Sequence, residues 1–251
     1  AKKLLILLLV TIMLVSNAPV LNAGGSSGSQ EIIIDENTFP DPLFRKYVKD
    51  KISHGSDRLT QSDIDSVKKI IVDGECYQVG DGFRYRNTKK TLKGIEYFTN
   101  LETLSCEYNV ITELDLSKNP KLTELQCGSN QLTRLDLSNN PNLKKLACYN
   151  NQLSSLDLSK NPNLTELWCR YNQLSSLVLG QNLNLTLLEC ERNKLSSLDV
   201  SKNPNLTKLN CEKNQLTSLD LSKNINLTVL NCLSNQISSL DLSKNINLTK
   251  L

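Results

Sequence analysis

From Leu101 to Leu251 the chain repeats one pattern of apolar and polar positions, L-x-x-L-x-C-x-x-N-x-L-x-x-L-D-L-x-x-N-P-N, every 21 residues. Cys106, Cys127, Cys148, Cys169, Cys190, Cys211 and Cys232 mark the period without a slip. Seven units run from Leu101 to Asn247, and Leu248–Leu251 begin an eighth. Each unit holds two versions of L-x-x-L-x-[LC]-x-x-N, as in LTELQCGSNQ and LTRLDLSNNPN of Leu122–Asn142. The L-x-[LC] alternation is that of a strand with one buried face, so each coil is expected to carry two short strands joined by turns at the asparagines. No segment of the repeat is long enough for a substantial helix. A single coil offers too little inward apolar surface to offset the entropy of ordering its backbone. Coils must therefore stack, each supplying its neighbours with burial and backbone hydrogen bonds. At about 4.8 Å per coil, seven repeats extend roughly 34 Å.

Residues 31–100 lack the repeat and form a small helical cap with an entry coil. Asp41-Pro42 is an N-cap and first-turn pair, followed by Leu43, Phe44, Tyr47, Val48 and Ile52 at near-helical spacing. Thr60 with Asp63 reads as a capping box that opens a second helix burying Ile64 and Val67. Ile70-Ile71-Val72 reads as a strand leading into the coils, and residues 75–91 as an exposed loop or hairpin. Ahead of the cap, residues 1–23 place two lysines before an apolar run and end in small residues, as a signal peptide does. Residues 24–30, GGSSGSQ, form a flexible spacer. The last coil has no capping element, so the 101–251 solenoid is expected to be truncated at its C-terminal end, with any anchor beyond it.

The repeat block resembles bacterial leucine-rich repeats, particularly the nested 21-residue type known as IRREKO. Its few departures are Ile111, Ile237 and Val200 for Leu and Val178 for Asp. Leu92-Lys-Gly-Ile-Glu-Tyr-Phe98-Thr-Asn-Leu101 resembles an internalin-style entry coil. The resemblance implies a leucine-rich-repeat solenoid and a secreted or cell-surface protein that binds partners. The cap resembles those of clostridial surface repeat proteins, in which an EF-hand-like helix–loop–helix is common. Here the loop SHGSDRLTQSD lacks the alternating Asp/Asn ligands and terminal Glu that calcium requires.

Composition narrows the chemistry. Lys and Arg number 29 against 26 Asp and Glu, and the chain has a single His. A near-neutral chain has no basic patch of the kind that phosphate neutralisation needs, so nucleic acid is not an expected partner. No nucleophile–base pair, phosphate loop or metal set is present; neither catalysis, a cofactor nor a metal is expected. His54 reads as a solvated loop residue. Seven cysteines in an exported chain raise disulfides, but each takes the inward slot that Leu fills in the second half-repeat. The spacing of stacked strands also exceeds a disulfide's Cβ separation, so the column reads as buried thiols. The Asn109-to-Asn235 and Asn119-to-Asn245 columns read as turn residues that satisfy backbone groups and tolerate left-handed geometry. Asp115, Asp136, Asp157, Asp199, Asp220 and Asp241 form an outward column. It reads as a solvated ladder moderated by nearby lysines, with calcium binding there left open.

Candidate function lies where the repeats differ. The second half is monotonous, as in SSLDLSKN and TSLDLSKN, whereas the outward positions around each Cys vary sharply. Tyr149, Trp168, Arg170, Tyr171, Glu189, Glu191 and Arg192 bring aromatic and charged residues to coils three to five. Aromatic and Arg side chains on a rigid sheet are typical interface anchors. The expected protein is a monomeric, non-catalytic adhesion or interaction module for a host or neighbouring-cell surface protein. A carbohydrate-binding surface and a structural spacer are the alternatives, and membrane association is expected only through the leader or a C-terminal anchor.

Overall fold

The structure, a computed structural model of the chain, describes residues 31–79, 82–86 and 88–251. The leader and spacer assigned to 1–23 and 24–30 lie outside the described residues. Among the described residues, no helix is long and apolar enough to cross a membrane.

The cap begins with β1 (Ile32–Ile33) and α1 (Pro42–Tyr47). Asp41 accepts hydrogen bonds from the Leu43 and Phe44 amides at its Oδ1 and from the Lys90 amide at its Oδ2. One carboxylate thus starts the helix and ties it to the entry coil. The expected single helix gives way at Val48–Ile52 to a wider π-type turn, which buries Val48 and Ile52. β2 (Arg58–Leu59) pairs antiparallel with β1. The Thr60–Asp63 capping box opens α2 (Gln61–Ser66) and buries Ile64. β3 (Lys69–Ile71) joins the main sheet, while β4 (Glu75–Val79) and β5 (Gly82–Arg86) form a separate hairpin. Phe39, Phe44 and Phe98 are fully buried, with Phe39 edge-on to Phe44 at 5.8 Å between ring centroids.

The solenoid sheet has eight parallel strands. After β3 come β6 (Thr103–Ser105), β7 (Glu124–Gln126), β8 (Lys145–Ala147) and β9 (Glu166–Trp168). The series continues with β10 (Leu187–Glu189), β11 (Lys208–Asn210) and β12 (Val229–Asn231). Each strand has three residues in register with the next coil, so Leu104, Leu125, Leu146, Leu167, Leu188, Leu209 and Leu230 stack inward at 0% exposure.

The two strands expected per coil are corrected to one. Beyond the first residue of the second half-repeat, the turn amides bond locally instead of across coils. Asp136 Oδ1 accepts from the Ser138 amide, Asn140 N–H donates to Leu137 O, and Leu143 N–H donates to Asn140 O. Side-chain and turn bonds of this kind compete with a ladder; the aspartate bond recurs in every coil but the one with Val178, which keeps the asparagine turn alone.

The side chain of the asparagine that follows the strand joins two coils. Asn151 Nδ2 donates to Cys127 O, Cys148 O and Tyr149 O at 3.0–3.2 Å, and its Oδ1 accepts from the Leu132 amide at 2.9 Å. The second asparagine column also spans coils, Asn161 Nδ2 donating to Leu137 O and Asn140 O. The left-handed turn is not taken by the asparagines of the two columns. Its φ values of 51–56° fall on the residue before each one in the first column: Tyr108, Ser129, Asn150, Tyr171, Arg192, Lys213 and Ser234. Such a backbone costs about 1–3 kcal/mol at a non-glycine residue and persists only where its surroundings hold it. The bonds to the next residue's side chain do so here.

All eight cysteines are free, with Cys106 to Cys211 buried, Cys232 half-buried and Cys76 exposed. Burial pushes the Cys148 and Cys211 thiols up to about 12. Alkylation of the native protein at pH 8, read by mass spectrometry, is expected to label Cys76 first and Cys232 next. The six fully buried thiols should react only on unfolding; prompt labelling at Cys148 would contradict the core assignment.

The aspartate column is also a turn element. Hydrogen bonds from Ser117, Ser138, Ser159, Ser222 and Ser243 hold Asp115, Asp136, Asp157, Asp220 and Asp241 below their ordinary 3.8, the backbone amide contributing most. A carboxyl depressed in the native state contributes stability that is full above its unfolded value and lost as pH falls through the native one. Glu107 and Glu191, raised by burial, act with the opposite sign. The urea midpoint is expected to fall below about pH 4, and to fall less in the Asp136→Asn/Asp157→Asn variant.

Candidate functional site

Each three-residue strand buries its middle leucine and turns its two flanking residues outward. Register then lines up Ser105, Gln126, Ala147, Trp168, Glu189, Asn210 and Asn231 across the sheet. Two residues beyond this row stand Glu107, Gly128, Tyr149, Arg170, Glu191, Glu212 and Leu233, and next to them the left-handed residues. The seven residues singled out by repeat variation therefore share one face of coils three to five. Trp168 is half-buried between Ala147 and Glu189 of the neighbouring strands.

Their side chains form a group around Arg170 and a separate Tyr171–Arg192 stack, with Trp168 beside them by strand register. The Tyr149 hydroxyl donates to the Tyr108 hydroxyl at 3.1 Å, two coils away. This reach requires the coil between to carry glycine. A Cβ on Gly128 would lie 2.5 Å from Tyr149 Cζ, so only a bare backbone passes beneath the ring. The Arg170 guanidinium lies over Tyr149 at 4.8 Å from the ring centroid, and Arg192 lies over Tyr171 at 4.9 Å. Arg170 Nη1 is 3.8 Å from Glu189 and 3.6 Å from Glu191, while Lys208 Nζ reaches Glu189 at 2.6 Å. Burial pushes the Glu191 carboxyl up from its ordinary value, with Arg170 acting to lower it. Burial likewise raises Glu107, which the Tyr149 hydroxyl partly offsets.

Variation between repeats singles out Tyr149, Trp168, Arg170, Tyr171, Glu189, Glu191 and Arg192. It misses Glu107, Tyr108, Gly128 and Lys208, which extend the cluster along the solenoid axis. Gly128 had a signal: it alone in its row has no side chain. Tyr108 and Glu107 carried none, because their link to Tyr149 depends on how far a ring reaches over two coils. At the cap end, Asp73 Oδ1 accepts from Ser105 Oγ and the Glu107 amide, so the segment after β3 holds this end of the cluster. Among the described residues, no group of three or more His, Cys, Asp or Glu is placed to hold a metal.

Gly128→Ala should therefore displace Tyr149 and open its contacts with Tyr108 and Arg170. The expected loss is about 1–3 kcal/mol, read from urea unfolding. Gly180→Ala, where a Cβ meets nothing within 4 Å, should change stability by less than about 0.5 kcal/mol. Equal effects at the two glycines would refute the Tyr149 packing.

A family model for leucine-rich repeats in two copies matches residues 141–184. Among solved structures, the chain is similar to the functional domain of InlJ from Listeria monocytogenes, described as including a cysteine ladder. Identity is 36% and the TM-score 0.79, over 89% of this chain and 47% of that one. Internalin C2 from Listeria monocytogenes is 26% identical with a TM-score of 0.74, over 90% of this chain and 100% of that one. A leucine-rich-repeat protein from Leptospira interrogans is 26% identical with a TM-score of 0.62, over 65% and 46%. The chain spans about half the length of the InlJ domain. No curated protein sequence matches it.

Proposed function

We propose, for a chain that is a bacterial internalin-like leucine-rich-repeat protein, that the outer sheet face of coils three to five binds a protein on the surface of a host or neighbouring cell. Solenoids of this fold commonly mediate protein interactions and generally act as non-catalytic scaffolds. The observation that carries the reading is the Trp168–Tyr149–Arg170–Tyr171 cluster on a rigid parallel sheet. Large side chains already held by stacking and strand register lose little entropy when a partner docks. In this reading the protein is exported and acts as a monomer, the cap and entry coil closing one end of the solenoid while the strand face remains open to the partner.

A glycan ligand is the second reading, since Trp and Tyr faces also stack on sugars. Its support is weakened by the two stacks, in which a guanidinium occupies one face of both Tyr149 and Tyr171. Trp168 is left as the aromatic platform of the patch.

The test is cross-linking of the chain to proteins on intact host and bacterial cells, followed by affinity measurement with the captured protein. Trp168→Ala/Tyr171→Ala is expected to weaken binding by about 2 kcal/mol or more while the circular dichroism stays native. Unchanged affinity in the folded variant would overturn the assignment of this face. Binding on a glycan array with no captured protein would move the conclusion to carbohydrate.

A further inference from the structure

The middle of the sheet face holds an ionic cluster that its own residues leave incomplete. Glu189 and Glu191 retain only 9% and 7% exposure, although both face outward on either side of buried Cys190. Their carboxylates meet two cations. Lys208 takes one Glu189 oxygen at 2.6 Å. Arg170 Nη1 stays 3.8 Å from the other Glu189 oxygen and 3.6 Å from Glu191 Oε1, both beyond hydrogen-bond reach. Glu191 Oε2 is buried with no hydrogen-bond partner. The guanidinium lies at the same time over the Tyr149 ring, 4.8 Å from its centroid.

Glu189 Oε2 and both Glu191 oxygens thus have no donor within 3.5 Å, and the buried Arg170 Nε has no acceptor. An unpaired buried carboxylate oxygen is costly, and a donor arriving from outside relieves that cost. Charge points the same way. Arg170 also attracts Glu107, so its single charge is shared among three carboxylates. Trp168, in register with Glu189 on the adjacent strand, adds an indole, the ring that best attracts a cation.

We propose that Glu189 and Glu191, framed by Trp168 and Arg170, form a subsite for a lysine ammonium group of the bound protein. The proposal rests on the reading of this face as a protein-binding surface. An ammonium is a compact head with three donors and suits the oxygens of two neighbouring carboxylates. A guanidinium is wider, and the place over Tyr149 is already filled by Arg170. An anionic side chain would meet the Glu191 carboxylate.

The chain has one tryptophan, Trp168, so its fluorescence reports on the subsite directly. Tetralysine should change Trp168 emission saturably, while its Nε-acetylated form and tetraglutamate should not. Glu191→Gln should weaken tetralysine binding about tenfold or more. Glu124→Gln, on the same face but outside the cluster, should change it by less than about twofold. If Glu191→Gln does not fold by circular dichroism, Glu189→Gln replaces it with the same expectation. The subsite is overturned if acetylated tetralysine or tetraglutamate binds as well as tetralysine, or if the folded Gln variant binds tetralysine unchanged. The cross-linked surface protein separates the two readings. Retention by Glu191→Gln with loss by Trp168→Ala/Tyr171→Ala overturns the subsite and leaves the face; retention by both overturns the face and the subsite together.

Discussion

The stacking of coils depends on one recurring interaction: a buried asparagine side chain that bonds the backbone of its own coil to that of the coil before it. A three-residue strand is short for a sheet, and by itself would leave the next turn's carbonyls and amides unpaired in an apolar interior. Asn151 closes that gap, with Nδ2 on the Cys127, Cys148 and Tyr149 carbonyls and Oδ1 on the Leu132 amide. The same set at Asn130, Asn172, Asn193 and Asn214 makes the solenoid a chain of nearest-neighbour couplings.

That interaction also shapes the surface. With the asparagine anchored inward, the residue before it is left in a left-handed backbone and is held where it projects. Tyr171 and Arg192 occupy that position in adjacent coils, and there they stack. Tyr108 takes it too, which brings its hydroxyl within reach of Tyr149. The interaction that pairs the interior therefore also fixes side chains on the exterior. The thiol column fits the same scheme: a small inward group at the end of each strand leaves its carbonyl to the asparagine.

Charge on the face is organised by packing as much as by pairing. Arg170 is shared among a tyrosine ring and two carboxylates. Glu189 and Glu191 are buried among their neighbours, so desolvation outweighs Arg170 at Glu191 and its carboxyl is pushed up. At the opposite extreme the outward aspartates bond to serine amides and are held low. One repeat thus carries carboxyl groups displaced in both directions, according to whether the backbone supplies a donor or the fold removes water.

Sequence alone determined the 21-residue coil, the inward leucines and cysteines, the two helix caps and the face that carries Trp168, because each follows from local spacing repeated many times. Period and residue type suffice when every coil meets a copy of itself. Tertiary structure decided what spacing does not encode. The second half-repeat forms no strand, because Asp136 and Asn140 satisfy local amides and compete with the ladder. The left-handed turn falls on the residue before the asparagine, because the side-chain bonds of the asparagine require its own backbone elsewhere. Gly128, Tyr108, Glu107 and Lys208 join the cluster because a ring and a long cation reach across coils, and such reach depends on which side chains face each other once the stack is built.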